Sequence, residues 1–274
     1  MCKKLKISRS AFYKWILDPL TTREVEDIKL KVDIKRIHKD SYGTYGQRRI
    51  KAKLSQEGIN CSCKRIGRIM DENGIYSRLR KKYKQTTNSK HDYPIAPDLL
   101  QRDFTAISPN KKWVGDITYI STDEGYLYLA TVKDLFDNQI IGWAIDERMK
   151  TELTISALNM AIFKERPKEG LIFHSDRGSQ YASYNYQNRL SDCNIRQSMS
   201  RKGNCFDNAC AESFFATLKK DIIHGIRYKT KSEAKIKIVE YIELFYNSTR
   251  LSNKLGYKSP RQYREEYNKM KKLA

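Results

Sequence analysis

Three acids stand where an acid is costly to keep. Asp116 lies inside Lys111-Lys-Trp113-Val-Gly-Asp116-Ile-Thr-Tyr-Ile120, a β-branched and aromatic run. A carboxylate buried in such a run is unfavourable unless it is paired or bound to metal. Asp176 follows the short apolar stretch Leu171-Ile172-Phe173 and precedes Arg-Gly-Ser. That reads as a buried strand ending in a turn, with the acid at the strand's open end. Glu212 belongs to Asp207-Asn-Ala-Cys-Ala-Glu212-Ser-Phe-Phe-Ala-Thr-Leu-Lys219, where Ala211, Phe215, Leu218 and Ile222 recur at helical spacing. Asp207 is the expected N-cap of that helix. Glu212 and Lys219, seven residues apart, share one of its sides. Any one of these acids alone reads as a helix cap or a surface charge. Together, two on strands and one on a helix, they are the hard oxygen ligands that a pair of Mg²⁺ ions takes.

Trp113-Val-Gly-Asp116-Ile-Thr, His174-Ser-Asp176-Arg-Gly-Ser-Gln-Tyr and Gly203-Asn-Cys-Phe-Asp-Asn-Ala-Cys-Ala-Glu212-Ser-Phe-Phe resemble the DDE core of bacterial insertion-sequence transposases. The subgroup is the one encoded in two overlapping reading frames (OrfA/OrfB, IS-three-type), and the chain is similar to its second-frame product, OrfB. The 35 residues between Asp176 and Glu212, with a basic residue seven after the Glu, follow the pattern shared with retroviral integrases. The likeness runs from residue 20 to residue 262.

Lys and Arg number 53 against 32 acids, a net charge of +21, which favours a polyanionic partner, most often nucleic acid. Residues 1–100 hold 24 of the basic and 11 of the acidic side chains, so the amino-terminal part is the more basic. The six cysteines show no Cys-x-x-Cys pairing and there are only four histidines. The expectation is a reduced, cytoplasmic chain without structural zinc. No apolar run approaches the length of a membrane span, and no signal peptide is visible.

Along the chain, Ser8 is placed to cap a short helix carrying Phe12, Tyr13 and Trp15. Residues 1–20 read as part of a helix-turn-helix or as an amphipathic stub. Thr21 or Thr22 starts the next helix. Gln47–Leu54 and Cys63–Met70, the second capped by Ser62 and stopped at Gly74, form a helix-turn-helix over 21–76. Lys64, Arg65 and Arg68 are its expected outward, phosphate-facing residues, although the pattern also suits an ordinary basic helical hairpin. Residues 77–104 read as a linker whose run Arg78-Leu-Arg80-Lys81-Lys82-Tyr-Lys is either a strap along DNA or a solubilising tether. Three strands (Trp113–Ile120, Tyr126–Val132, Gln139–Ala144) then precede alternating helix and strand. That order is α/β ribonuclease-H-like, an integrase catalytic core over 105–262 behind a small all-α helix-turn-helix domain. A basic tail over 263–274 closes the chain.

The resemblance implies that Asp116, Asp176 and Glu212 are catalytic ligands of two Mg²⁺ ions, with Mn²⁺ as a substitute, and that Asp116 lies between the ions. It implies nicking at the element's ends and transesterification by the freed 3′-OH. No ATP is needed, and no Walker-type loop is visible. Lys219 would hold the phosphate backbone, or is a solvated helix lysine. His174 positions substrate or packs beside its strand. Implied partners are double-stranded DNA at element ends and target, further copies of the chain in a synaptic complex, and the OrfA protein or an OrfA–OrfB fusion. Ser252 departs from the family's usual His. A same-fold nuclease that cuts without joining, and a non-catalytic DNA-binding regulator, stay open as alternatives.

Overall fold

The computed structural model describes residues 2–17, 20–78, 93–201 and 205–273. The chain forms two compact units, 1–78 and 79–274.

In the first unit, the Ser8 hydroxyl accepts from the Ala11 N–H at 3.0 Å and starts α1 (Arg9–Leu17), none of whose residues is buried. Thr21 opens α2 (Thr22–Asp40) with a reciprocal cap. Its hydroxyl accepts from the Glu24 N–H, and the Glu24 carboxylate accepts from the Thr21 N–H. α3 (Gln47–Gln56) and α4 (Cys63–Glu72) follow, with Ser62 capping α4 through the Arg65 N–H and Gly74 at φ +62° just beyond its end. Ile34, Ile37, Ile50, Leu54, Ile66 and Ile69 are buried, which gives three mutually packed helices with the expected helix-turn-helix order.

The second unit is built on a five-stranded sheet of order β3-β2-β1-β4-β5. β1 (Lys112–Thr122), β2 (Gly125–Asp134) and β3 (Ile140–Asp146) form an antiparallel meander. β4 (Ile172–Ser175) and β5 (Arg196–Met199) run parallel to β1 on its other side. Side chains alternate across the pleat. Trp113 and Phe173 therefore join Ala130 and Val132 in a core with α5 (Thr151–Glu165), α6 (Ser179–Ala182) and α7 (Tyr184–Asp192). Val114, on the opposite face, packs with Leu100, Leu135 and Ala211 under α8 (Ala209–Leu218). α5 lies so close to β3 that a Cβ on Gly142 would meet the Ala157 carbonyl oxygen at 2.2 Å. Gly142→Ala therefore forces helix backbone to move, and should cost about 2–3 kcal/mol in urea unfolding of the full chain. An unchanged unfolding midpoint would refute that packing.

The structure differs from the expected elements where side chains from afar intervene. The helical segment after β4 is broken into α6 and α7, with Ser183 capping α7 through the Tyr186 N–H. The Asp207–Ile222 helix is a 3₁₀ turn, then α8, then a π-helical turn over Lys219–Ile223. Asn208, and not Asp207, is its N-cap. The helix from Lys231 stops at Glu240 (α9) and passes into a second π turn over Tyr241–Tyr246. The Asp221 carboxylate joins the two π turns, accepting from the Tyr241 hydroxyl and from Arg250 Nε, both at 2.8 Å. Residues 97–100, expected as linker, belong to the core: Leu100 is buried, and the Met199 N–H donates to the Pro97 carbonyl. The expected tail from 263 is instead α10 (Pro260–Leu273), fastened to the sheet end through Arg264.

Candidate active site

The parallel β1–β4 register ends at Val114↔His174; Asp116 lies two residues further along β1, and Asp176 one residue past the end of β4. By strand alternation Asp116 shares the α8 face with Val114, and Asp176 follows His174 of β4 by two residues. α8 crosses that face and carries Glu212 in its first turn. Backbone donors orient the strand acids: the Ile117 N–H donates to Asp116 Oδ1 at 2.8 Å, and the Gly178 N–H to Asp176 Oδ1 at 2.9 Å. A Cβ on Gly178 would stand 3.0 Å from that same oxygen, so glycine leaves the turn room to close on the acid.

The three acids feel one another. Burial, then the Asp176 charge, then Glu212 hold the Asp116 carboxyl well above the usual carboxylate range, against the Ile117 N–H and Lys219. Burial and Asp176 also raise Glu212. The donor set is oxygen only, and its repulsion is what a divalent cation relieves. Among the described residues, no group of three His, Cys, Asp or Glu side chains is already gathered as a metal cage. The three acids are electrostatically linked without being gathered round one point.

Lys219 is buried and lies over the Tyr119 ring, 4.8 Å from its centroid. The solvated reading is thereby excluded. Burial lowers its pKa, and the Asp116 charge opposes the change. His174 is fully buried, with Nδ1 hydrogen-bonded to the Ser198 hydroxyl at 2.8 Å and Nε2 to the Asp207 carbonyl at 3.0 Å. It packs and joins β4 to β5 and to the turn before α8. Asp207, read from sequence as a cap, is 1% exposed and accepts from Arg102 Nε and from Arg201 Nε and Nη2, each at 2.9 Å. These hydrogen bonds, Arg201's first, keep its carboxyl well below the usual range despite burial.

Residues 106–205 match a family model described as an integrase core domain, residues 212–267 a second model of that description, and residues 24–83 an HTH-like domain. The chain is 43% identical over 270 residues to the Shigella sonnei "Insertion element IS600 uncharacterized 31 kDa protein", covering 98% of this chain and 99% of that one. It is 42% identical over 247 residues to the Lactococcus lactis transposase for IS904, covering 90% and 97% of the two chains. With the Escherichia coli transposase InsF for IS3A it shares 36% over 265 residues, covering 96% and 92%. The chain belongs to the IS3 family of insertion-sequence transposases. Among solved structures, the HTLV-2 integrase catalytic core in complex with magnesium aligns at TM-score 0.42 and 18% identity, over 58% of this chain and 99% of that one. A simian T-cell lymphotropic virus intasome chain aligns at TM-score 0.47 and 17% identity, over 84% and 74%.

The transposase's helix-turn-helix unit uses its cations differently from the sequence expectation. Arg65 is turned inward to α2, with Nε 2.6 Å from Asp27 and Nη2 3.0 Å from Glu26. Arg68 pairs with Asp27 and with Glu72. Lys64 is exposed, as is Arg78. Arg80, Lys81 and Lys82 lie outside the described residues. No helix among the described residues is long and apolar enough to cross a membrane. Three arrangements near the acids are not evident in the sequence: Tyr119 under Lys219, the Arg102–Asp207–Arg201 cluster, and the inward Lys133. Only Lys133 had a local signal, as a lysine inside the otherwise buried strand run Ala130–Leu135.

Proposed function

We propose that the transposase cleaves and joins DNA at Asp116, Asp176 and Glu212, which hold two Mg²⁺ ions, with Mn²⁺ as a substitute. The supporting observation is the mutual electrostatic coupling of these three acids on one face of the sheet. Bound divalent ions would supply an activated oxygen nucleophile and stabilise the leaving oxygen. The chain's own residues prepare that step. The Ile117 and Gly178 N–H groups fix the two strand acids. Lys219, held over Tyr119 beside Asp116, meets the substrate phosphate at the acids and not out along the duplex. The 3′-oxygen at an element end forms a new phosphorus–oxygen bond as one bond in the target strand breaks. One phosphodiester replaces another, so ATP has no part.

Lys64, Arg78 and the run through Arg80, Lys81 and Lys82 supply sequence-independent phosphate contacts, while Arg65 and Arg68 fix α4 on α2. Lys64→Ala should weaken binding to all duplexes alike and reduce the salt slope by about 1. Arg65→Ala should loosen the helical unit, seen as a lower melting temperature. Equal salt slopes for Lys64→Ala and wild type would refute the Lys64 role. Further copies of the chain, and the upstream-frame OrfA product, complete the assembly on paired ends. The deciding assay is full-length protein with Mg²⁺ and labelled element-end duplex. Joined products are expected. Cut products alone would mean a nuclease, and a mobility shift without chemistry a DNA-binding regulator.

A further inference from the structure

The first turn of α8 has an attachment that the proposed reaction does not use. Lys133 on β2 is 2% exposed. In the β1–β2 pairing, Thr131 stands opposite Asp116 and Lys133 opposite Val114. The lysine is thus the next rung on the face that carries the acid. Its ammonium donates to the Cys210 carbonyl and, at 3.4 Å, to the Ser213 hydroxyl. Ser213 donates to that same carbonyl at 2.8 Å, closing a three-membered set. Cys210 and Ser213 bracket Glu212. The helix start has no side-chain cap of its own, since Asn208 makes no such bond.

We propose that Lys133 is the positioning residue for Glu212, tying the helix that carries the third acid to the strand pair that carries the first. Its chemistry suits that task. An apolar side chain would fill the same space without the desolvation that a buried ammonium suffers. The desolvation is real: burial, with the Lys254 charge adding to it and Cys210 opposing, brings the Lys133 pKa down to about 8. The inward charge gives a directed hold on one carbonyl and one hydroxyl, which fixes both the height and the rotation of the turn. Glu212 is then presented to Asp116 and Asp176 before any cation arrives, and an open set of ligands needs such presentation most.

The inference rests on reading Glu212 as a metal ligand, so the test carries Glu212→Gln in parallel. Lys133→Met keeps length and bulk but removes the donor, and Lys133→Arg keeps a donor. Mn²⁺ binding to the full chain is measured by calorimetry without DNA, beside element-end binding and strand transfer in Mg²⁺. Lys133→Met should weaken Mn²⁺ binding about tenfold, the usual loss when a group behind a metal ligand is removed. Strand transfer should fall and be partly restored by excess Mg²⁺, while element-end binding stays unchanged. Lys133→Arg should recover most of the Mn²⁺ affinity. A lower melting temperature with wild-type Mn²⁺ affinity would mean Lys133 only fills the core, and would overturn the inference. Should Lys133→Met fail to fold, Ser213→Ala at an exposed position decides: weaker Mn²⁺ binding supports the inference, and wild-type binding sinks it. If Glu212→Gln itself keeps wild-type Mn²⁺ binding, the reading of Glu212 fails instead.

Discussion

Asp116→Asn should lower strand transfer by about a thousandfold, the loss expected when a group stabilising charge at the reacting centre is removed. It should leave element-end binding intact and make the metal-free protein more stable. The two effects share one cause. Asp116 is half-buried beside Asp176 and within reach of Glu212, and its charge is disfavoured by burial and by both neighbours. An acid whose pKa is raised on folding destabilises the folded state once pH exceeds that pKa, so its neutral amide should stabilise it. Relief of that repulsion would raise the melting temperature of the metal-free protein. Magnesium should reverse the order. Wild type gains about 2.7 kcal/mol when the ion is at a hundred times its dissociation constant, and the variant forfeits most of that gain. Asp176→Asn and Glu212→Gln should behave alike. Wild-type joining by any one of the three would remove the site, and a metal-free Asp116→Asn that melts below wild type would remove the electrostatic account.

The elements that place those acids were legible because their signals are local. A β-branched run around Asp116, a strand stop at Asp176 and helical spacing around Glu212 each span a few residues, and the sheet joins them by simple alternation. What sequence could not carry was pairing at a distance. Asp207 looks like a helix cap until Arg102, 105 residues upstream, and Arg201 are found on its carboxylate. Arg65 and Arg68 look like groove-facing cations until Asp27 on another helix takes both. Lys133 lies just past the expected strand end at Val132, and its partner carbonyl lies 77 residues on. The π turn at Lys219 is set in the same way, by Asp221 meeting Arg250 29 residues later. The residues that differ from expectation are therefore charged ones, whose direction is decided by a partner and not by period.

Arg264 is the largest such case, and it converts an expected tail into a structural part of the core. Its guanidinium donates Nη2 to Asp134 at 3.0 Å, Nη1 to Glu165 at 2.8 Å, and Nε to Asp137. Asp134 and Asp137 are both 0% exposed. Asp134 additionally accepts from the Asn110 and Phe136 N–H groups, so the strand β2 end, the turn after it and α5 all meet at this one cation. Burial and the Asp137 charge already push Asp134 up to about 6 against the pull of Arg264. Arg264→Met would leave buried acids without their cation, a change that costs about 3–5 kcal/mol. Protonation is the alternative way to neutralise them, so the deficit should depend on pH. Raised carboxyl pKa values give stability that is present below the unfolded carboxylate range and lost as pH rises through the folded value. Wild type should accordingly lose some stability as pH climbs from the unfolded carboxylate range to about 6, and little more above it. The variant, with its acids raised further, should lose more and over a higher range. Urea unfolding of the full chain at about pH 7.5 and about pH 5.5 should show the wild-type–variant gap narrowing at the lower pH. Arg264→Lys, one ammonium in place of a three-way fork, should fall between. A chain ended after residue 262 loses the same cation together with the Tyr263 and Tyr267 rings on Phe136, and should be at least as unstable as Arg264→Met. Wild-type stability in that shortened chain would show that α10 is a tail after all.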